Sequence, residues 1–190
     1  IGVTFENEWV KVDELLEIEK NGLNFYPSIS ALESLVDKIK QRELLEKIGF
    51  ASGNEWISLS NLKKIRTKLP ENWTFPLMAK LRKGGYDGKG NKVINDIRDL
   101  EELIHSRESD QWFLEKWVSY EKELALVVSR DAKGVVRSLP LVETCQNKQV
   151  CDWVLAPADV PNDVRNYAYN IGASLLNNLK YVGVLALEYF

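Results

Sequence analysis

Apolar positions recur at two different spacings along the chain, and the change of spacing divides it. From Glu8 to Lys20 they fall at 9, 12, 15, 16 and 18. That is one helical face, so a helix is expected here with its Trp9/Leu16 side inward, closed by Asn21-Gly22. Ahead of it, Ile1-Gly2-Val3-Thr4-Phe5-Glu6 reads as a buried strand. Ser30-x-x-Glu33 has the form of a capping box before Leu32, Leu35 and Val36. The next helix sets Leu44, Leu45 and Ile48 on one side and stops at Gly49. Trp56-Ile57-Ser58-Leu59 reads as a strand. Ser60 then caps a short helix through Ile65 that ends before Pro70. An apolar run from Phe75 to Ala79 and the extended Lys92-Val93-Ile94 flank a glycine-rich loop. Asp96 is expected to cap a helix carrying Ile97, Leu100, Leu103 and Ile104.

From Trp112 the period becomes that of strands. Trp112 to Val118, Leu124 to Val128, Val135 to Val142 and Val150 to Ala156 are β-rich, and Asp131-Ala132-Lys133-Gly134 reads as a hairpin turn. Asp163 to Leu179 is expected as a long helix with Val164, Tyr167, Ala168, Ile171, Leu175 and Leu179 inward. Val182 to Leu187 reads as a last buried strand with Glu188 at its polar end. Helices and antiparallel-rich strands alternate in blocks, which defines an α+β chain.

Composition narrows the function only by exclusion. The chain has 190 residues, a formal net charge of −3 and a pI near 5.4. That length suits one domain or two small ones. The charge gives no general pull toward nucleic acid or membrane surfaces. No apolar run reaches transmembrane length, and no basic-then-apolar leader stands at the N-terminus. Cys145 and Cys151 lack the His or Cys partners of a zinc site and read as free thiols in a reducing cytosol. A cytoplasmic location is therefore expected. His105, in a polar helical stretch, reads as a surface residue.

The candidate chemistry centres on the loop. Lys80, Arg82, Lys83 and Lys89 surround glycines at 84, 85, 88 and 90. Glycine lets backbone N–H groups approach a ligand closely, and successive N–H groups form an anion-binding concavity. The spacing is neither a Walker loop nor a dinucleotide fingerprint. It reads as a hairpin tip folding over phosphates, with a charged, ligand-free turn as the plainer alternative. Glu115 ends an apolar strand whose continuation, Lys116-Trp117-Val118, has free-edge character. An edge C=O and N–H can pair with an adenine. Glu123 heads the next strand, where a carboxylate could accept two ribose hydroxyls. Glu188 is placed to ligate magnesium, which is usually held by one or two carboxylates plus phosphate oxygens. Each has a plainer reading: a solvated face of Glu115, Glu121 and Glu123 paired with Lys116 and Lys122, and at Glu188 a strand emerging into water. Trp112, Phe113 and Trp117 read as core more readily than as a stacking platform.

Taken together, Lys80-x-Arg82-x-Gly-Gly-Tyr-Asp-Gly-Lys-Gly-Asn91, Glu115-Lys-x-Val-x-x-x-x-Glu123 and Tyr181-Val-Gly-Val-x-Ala-x-Glu188-x-Phe190 resemble the N5-carboxyaminoimidazole ribonucleotide synthetases. These are ATP-grasp enzymes of purine biosynthesis. Val3 to Glu8, Pro27-Ser28, Asp37-Lys38, Pro140 to Glu143, Cys151 to Trp153 and Ala156 to Ala158 fit the same family, so the resemblance runs the whole length.

The resemblance implies an ATP-grasp fold, with residues 1–27 trailing from a preceding Rossmann-like domain and 28–190 forming the ATP-grasp domain. A small lid subdomain would span about 50–117 and a larger one 118–190. It further implies that Lys38 and Lys80 contact ATP phosphates and that Gly85, Tyr86, Asp87, Gly88, Lys89, Gly90 and Asn91 form the mobile loop. Glu115, Lys116, Trp117 and Val118 would hold adenine, Glu123 the ribose, and Glu188 Mg²⁺, with Mn²⁺ as its substitute. Tyr86, Asp87 and Lys89 would face 5-aminoimidazole ribonucleotide. The implied reaction uses ATP and bicarbonate to make carboxyphosphate, which the substrate amine captures. A homodimer is expected of the full-length protein, and neither nucleic acid nor membrane as a partner. The alternatives are another ATP-grasp ligase or carboxylase, or a non-catalytic ATP-binding module. Gln146 departs from a position that is often His in the family. The family also continues past the counterpart of Phe190 with a further metal carboxylate and substrate-handling Arg and His, so the chain by itself is expected not to turn over.

Overall fold

The computed structural model describes residues 2–7, 10–50, 55–64, 69–85, 90–147 and 150–190. At the start, β1 (Gly2–Thr4) pairs in parallel with β2 (Asn24–Tyr26), with α1 (Val12–Lys20) between them in sequence. Strand β2 is too short to show an alternation and is not anticipated from sequence. Val12, Phe25 and Ile29 are buried together, and the Phe5 and Phe25 rings stack at 5.6 Å. Trp9, expected on the inner side of this helix, lies outside the described residues, as does Ile65.

Helix α2 (Ile29–Val36) begins before the expected capping box. Ser28 is its N-cap and accepts from the Ala31 N–H at 3.3 Å, while Glu33 pairs with Lys40 at 2.5 Å. Helix α3 (Lys38–Lys47) follows at once. The Asp37 side chain caps it, accepting from the Ile39 N–H at 3.0 Å and the Lys40 N–H at 3.5 Å. As read from sequence, α3 runs out just before Gly49, whose φ of +86° suits glycine.

Strands β3 (Trp56–Ser58), β4 (Leu77–Leu81), β5 (Asn91–Ile94) and β6 (Trp112–Lys116) form an antiparallel sheet of order β3-β6-β4-β5. Strand β6 is therefore interior, flanked on both sides, and its free-edge reading is corrected up to Lys116. Side chains alternate across the pleat. Leu77, Ala79 and Leu114 face the core made with Leu59 and Leu62 of α4 (Leu59–Lys64) and Leu100, Leu103 and Ile104 of α5 (Ile97–His105). Met78, Lys80, Phe113 and Glu115 share the opposite face, given the pairings Met78↔Glu115 and Lys80↔Phe113. The cap of α4 is Ser58, whose Oγ accepts from the Asn61 N–H at 3.3 Å, and not Ser60. Asp96 caps α5 as expected, but Ile97 is 45% exposed, because only the Leu100/Leu103/Ile104 stripe meets the sheet.

The second large sheet has the order β10-β9-β7-β11, with β8 paired to β7. Its strands are β7 (Glu123–Arg130), β8 (Val136–Ser138), β9 (Val142–Asn147), β10 (Val150–Leu155) and β11 (Gly183–Tyr189). The expected turn at Asp131 to Gly134 joins β7 to β8. Helix α6 (Asn162–Asn178) covers one face, placing Ala168 and Leu176 on Leu124, Leu126 and Val128. A Cβ on Gly172 would lie 2.9 Å from Val128 Cγ1, so the glycine sets how closely helix and sheet approach. Val164 and Tyr167 face outward instead of inward, and the Tyr167 ring meets Phe50 edge-on at 5.9 Å. Nor is β11 buried on both faces: Leu185, Leu187 and Tyr189 pack under α6, whereas Val184 is 66% exposed. With a single helix layer over the sheet, the face carrying Val184, Ala186 and Glu188 stays open.

Candidate active site

The open face of the second sheet and the Lys80 face of the first come together at Phe190. On the first sheet, the β4–β5 connection closes through the Leu81 N–H, which donates to the Gly90 carbonyl at 2.8 Å. Gly84 and Gly85 take φ of +69° and +83°, and a Cβ on Gly85 would stand 2.6 Å from the Gly90 Cα. The two strands of the loop thus cross at a point that only a Gly–Gly contact allows. Lys38 sits at this base, its ammonium donating to the Gly84 carbonyl at 2.9 Å and the Leu81 carbonyl at 3.3 Å. Asn91 opens β5 opposite Lys80. Tyr86, Asp87 and Lys89, the expected substrate-facing residues, lie outside the described residues, as does Gly88.

Two ion-pair systems brace this wall. Arg82 reaches both oxygens of the buried Asp37, at 2.7 and 3.4 Å, and the Lys38 N–H donates to the Arg82 carbonyl at 2.8 Å. Asp37 therefore caps α3 and holds the glycine loop with one carboxylate. Its burial would raise the pKa, but the Arg82 guanidinium and the Ile39 and Lys40 N–H groups outweigh that and hold it below its ordinary value. The second system is centred on Glu115, which is 1% exposed. Arg42, from α3, closes on its Oε1, and the Lys80 ammonium lies 2.8 Å from its Oε2. Glu115 is therefore not the solvated surface group of its plainer reading: its carboxylate is buried and engaged by two cations. Lys116 turns away to Glu55 at 3.0 Å, and Trp117 and Val118 continue past the end of the β6 ladder, Trp117 45% exposed.

On the second sheet, the register pairs Glu188 with Ala125, two residues along β7 from Glu123. By the pleat, Glu123, Ala125 and Glu188 share the open face. Tyr120 donates to Glu123 at 2.6 Å; that bond, with partial burial, raises the phenol's pKa. The Tyr120 ring lies 5.3 Å from the Phe190 ring, over which the Lys80 ammonium stands at 5.8 Å. Lys80, Glu123 and Glu188 hence border one cleft. Gln146 is exposed on β9, opposite Cys151. Cationic and glycine N–H groups on one wall and carboxylates on the other can hold a polyanion that bears hydroxyls or a bound cation.

Two participants were not singled out from sequence. Arg42 stands four residues after Lys38 on the same helix, a spacing that puts both on one face. Tyr120 shows no sequence signal beyond its nearness to Glu123.

This fold and cleft define a class. The ATP-grasp domain model matches residues 43–190, and the chain belongs to the ATP-grasp family. Within that class it is similar to the N5-carboxyaminoimidazole ribonucleotide synthase of Synechocystis, 38% identical over 99% of this chain and 46% of that protein. The crystal structure of N5-carboxyaminoimidazole ribonucleotide synthetase from Thermotoga maritima superposes with a TM-score of 0.78 at 30% identity, covering 100% of this chain and 47% of its own. The Aspergillus clavatus synthase in complex with ADP and 5-aminoimidazole ribonucleotide gives 0.80 at 28% identity, covering 100% and 49%. The chain spans about half the length of these relatives. Among the described residues no helix is long and apolar enough to cross a membrane.

Proposed function

We propose that this chain is the nucleotide-holding part of an enzyme that carboxylates the amine of 5-aminoimidazole ribonucleotide at the expense of ATP and bicarbonate. The single observation that supports this reading is the gathering of Lys80, Glu123 and Glu188 about Phe190 and Tyr120, with the Gly85/Gly90 crossing beside Lys80 on β4. The relatives named for the same synthase, one of them holding ADP and 5-aminoimidazole ribonucleotide, support the substrate assignment. On this reading, residues 28–190 are the ATP-grasp domain and 1–27 the end of a preceding one.

Each residue's part follows from its chemistry. Lys80 and Lys38 oppose the phosphate charge that shifts toward the leaving ADP. The backbone beyond β6, at Trp117 and Val118, lies outside the ladder and is free to pair with adenine, while Glu123 accepts the ribose hydroxyls in place of Tyr120. Glu188 fits a Mg²⁺ site as an exposed carboxylate on the cleft face. Among the described residues no group of three or more His, Cys, Asp and Glu side chains gathers there, and phosphate oxygens, water and the further carboxylate expected of the full-length protein would complete the shell. The bound ion would neutralise phosphate charge. A bicarbonate oxygen attacks the γ-phosphorus and ADP departs with the bond's electron pair, leaving carboxyphosphate. The substrate amine then attacks the carboxyl carbon, the C–O bond to phosphate breaks, and the amine gives up a proton. Carboxyphosphate hydrolyses readily, so a lid at residues 85–91 that excludes water suits this chemistry.

The test is ADP release by the protein at the full length of its relatives, with product analysis. Release that requires both bicarbonate and 5-aminoimidazole ribonucleotide, with label from bicarbonate appearing in the nucleotide product, is expected. Release that instead follows formate or an amino acid would assign the chain to another ligase of the class.

A further inference from the structure

The Glu115 carboxylate is shared unequally between its two cations. Arg42 brings both its Nε and an Nη to Oε1, donates to the Lys38 carbonyl at 3.2 Å, and lies 5.1 Å over the Phe113 ring. Its side chain is 14% exposed. It is held on three sides by elements of the sheet and of its own helix. Lys80 touches Glu115 through a single ammonium on a flexible stem, and it also stands over the face of Phe190. A lysine that must reach phosphates cannot at the same time neutralise a carboxylate that is 1% exposed. Removing one partner of a buried pair leaves an uncompensated charge, which is strongly unfavourable. A planar guanidinium, pre-organised and always charged, suits the fixed half of such a trio, and a flexible ammonium suits the movable half.

From this geometry we infer that Arg42 is a positioning residue. It holds the Glu115 charge on its own once Lys80 turns to an incoming nucleoside phosphate, and so makes that movement of Lys80 affordable. The inference rests on the nucleotide reading of the cleft and adds to it a residue that touches no nucleotide atom. Without Arg42, Lys80 is the only counter-ion left to Glu115 among the described residues and stays there.

Calorimetric titration of the protein with ADP in the presence of Mg²⁺ reads the effect. Arg42→Gln is expected to weaken ADP binding by about tenfold, a coupling typical of groups in one charge network. Arg42→Lys, which keeps the charge, should restore most of it. In Arg42→Gln/Glu115→Gln no buried charge remains to be stranded, so its ADP affinity should match that of Glu115→Gln alone. A further drop on adding Arg42→Gln to Glu115→Gln overturns the inference, since Arg42 would then act on the nucleotide itself. That pair of variants decides the matter even if Arg42→Gln alone does not fold.

A second readout needs no nucleotide. Acylation of Lys80 by acetic anhydride, mapped by mass spectrometry against the exposed Lys133, should be slower in Arg42→Gln than in the wild type and faster in Glu115→Gln. Lys80 rates unchanged by Arg42→Gln, with only the melting temperature lowered, would make Arg42 purely structural and overturn the inference. Slowed acylation in a protein that binds no ADP would uphold the Arg42–Glu115–Lys80 coupling and overturn the nucleotide reading instead.

Discussion

On the wall formed by α3, β4 and β6, the charged groups close on one another: Arg82 on Asp37, and Arg42 with Lys80 on Glu115. On the wall formed by β7 and β11, Glu123 has a phenol for a partner and Glu188 stands exposed. Among the described residues neither is in an ion pair. The difference follows from burial. Asp37 and Glu115 are each 1% exposed, and a carboxylate that far from water needs cations and N–H groups to remain ionised. Glu123 and Glu188 lie on a sheet face with no helix over it and keep their hydration. On one wall the buried carboxylates are neutralised without a ligand, whereas the other offers negative charge to whatever enters. On the proposed function, a metal-bound triphosphate would match that asymmetry, with lysines toward its phosphates and a carboxylate toward its cation.

The contrast can be broken most directly by stability. Asp37→Ala uncaps α3 and takes from the partly exposed Arg82 its carboxylate partner, and should cost about 2–4 kcal/mol in urea unfolding, while Glu188→Ala should stay within about 0.5 kcal/mol of the wild type. Equal losses would erase the distinction between the walls. Next in size, Lys80→Met should weaken ADP binding by about 1.5–3 kcal/mol, the usual contribution of a hydrogen bond to a charged group, with Glu115 still held by Arg42. Isothermal titration calorimetry measures it.

Acid sharpens the same comparison with a smaller effect. Asp37 has its folded-state pKa below the ordinary 3.8. Its contribution to stability is therefore fully present above that ordinary value and is lost as pH falls through the depressed one. Urea midpoints followed down the acid limb should fall less steeply in Arg82→Met than in the wild type. Smallest of all, Asp96→Ala removes the N-cap of α5, whose Oδ1 accepts from the Arg98 and Asp99 N–H groups. It should cost about 1 kcal/mol and leave ADP affinity unchanged, because α5 packs on the face of the sheet away from the cleft.

Much of the fold was legible because its signals are local. The Asp96 cap, the Gly49 stop, the Asp131 to Gly134 turn and the glycine hairpin each depend on a few neighbouring residues whose backbone preferences agree with the structure. Where a cap had competitors nearby, the choice failed. Ser28 prevailed over Ser30 and Ser58 over Ser60, since neighbouring serines present the same short hydroxyl and packing selects the helix start. Faces were misjudged where burial depends on a second layer: Val164, Ile97 and Val184 are apolar at suitable spacings but stay exposed, and Tyr167 turns outward to meet only the edge of Phe50 among the described residues.

The sequence by itself determined the α+β class, the lysines beside a glycine loop, and the carboxylates at strand ends, because spacing and residue type are properties of the chain. Only the tertiary structure decided that Glu115 is buried between Arg42 and Lys80, that β6 is an interior strand, and that Glu123 and Glu188 share an open face. Those facts depend on which strands pair and in what register, and the partners are contributed by segments as far apart as α3, β6 and β11. Pairing over such separations is settled by the packing of the whole molecule, not by any window of its sequence.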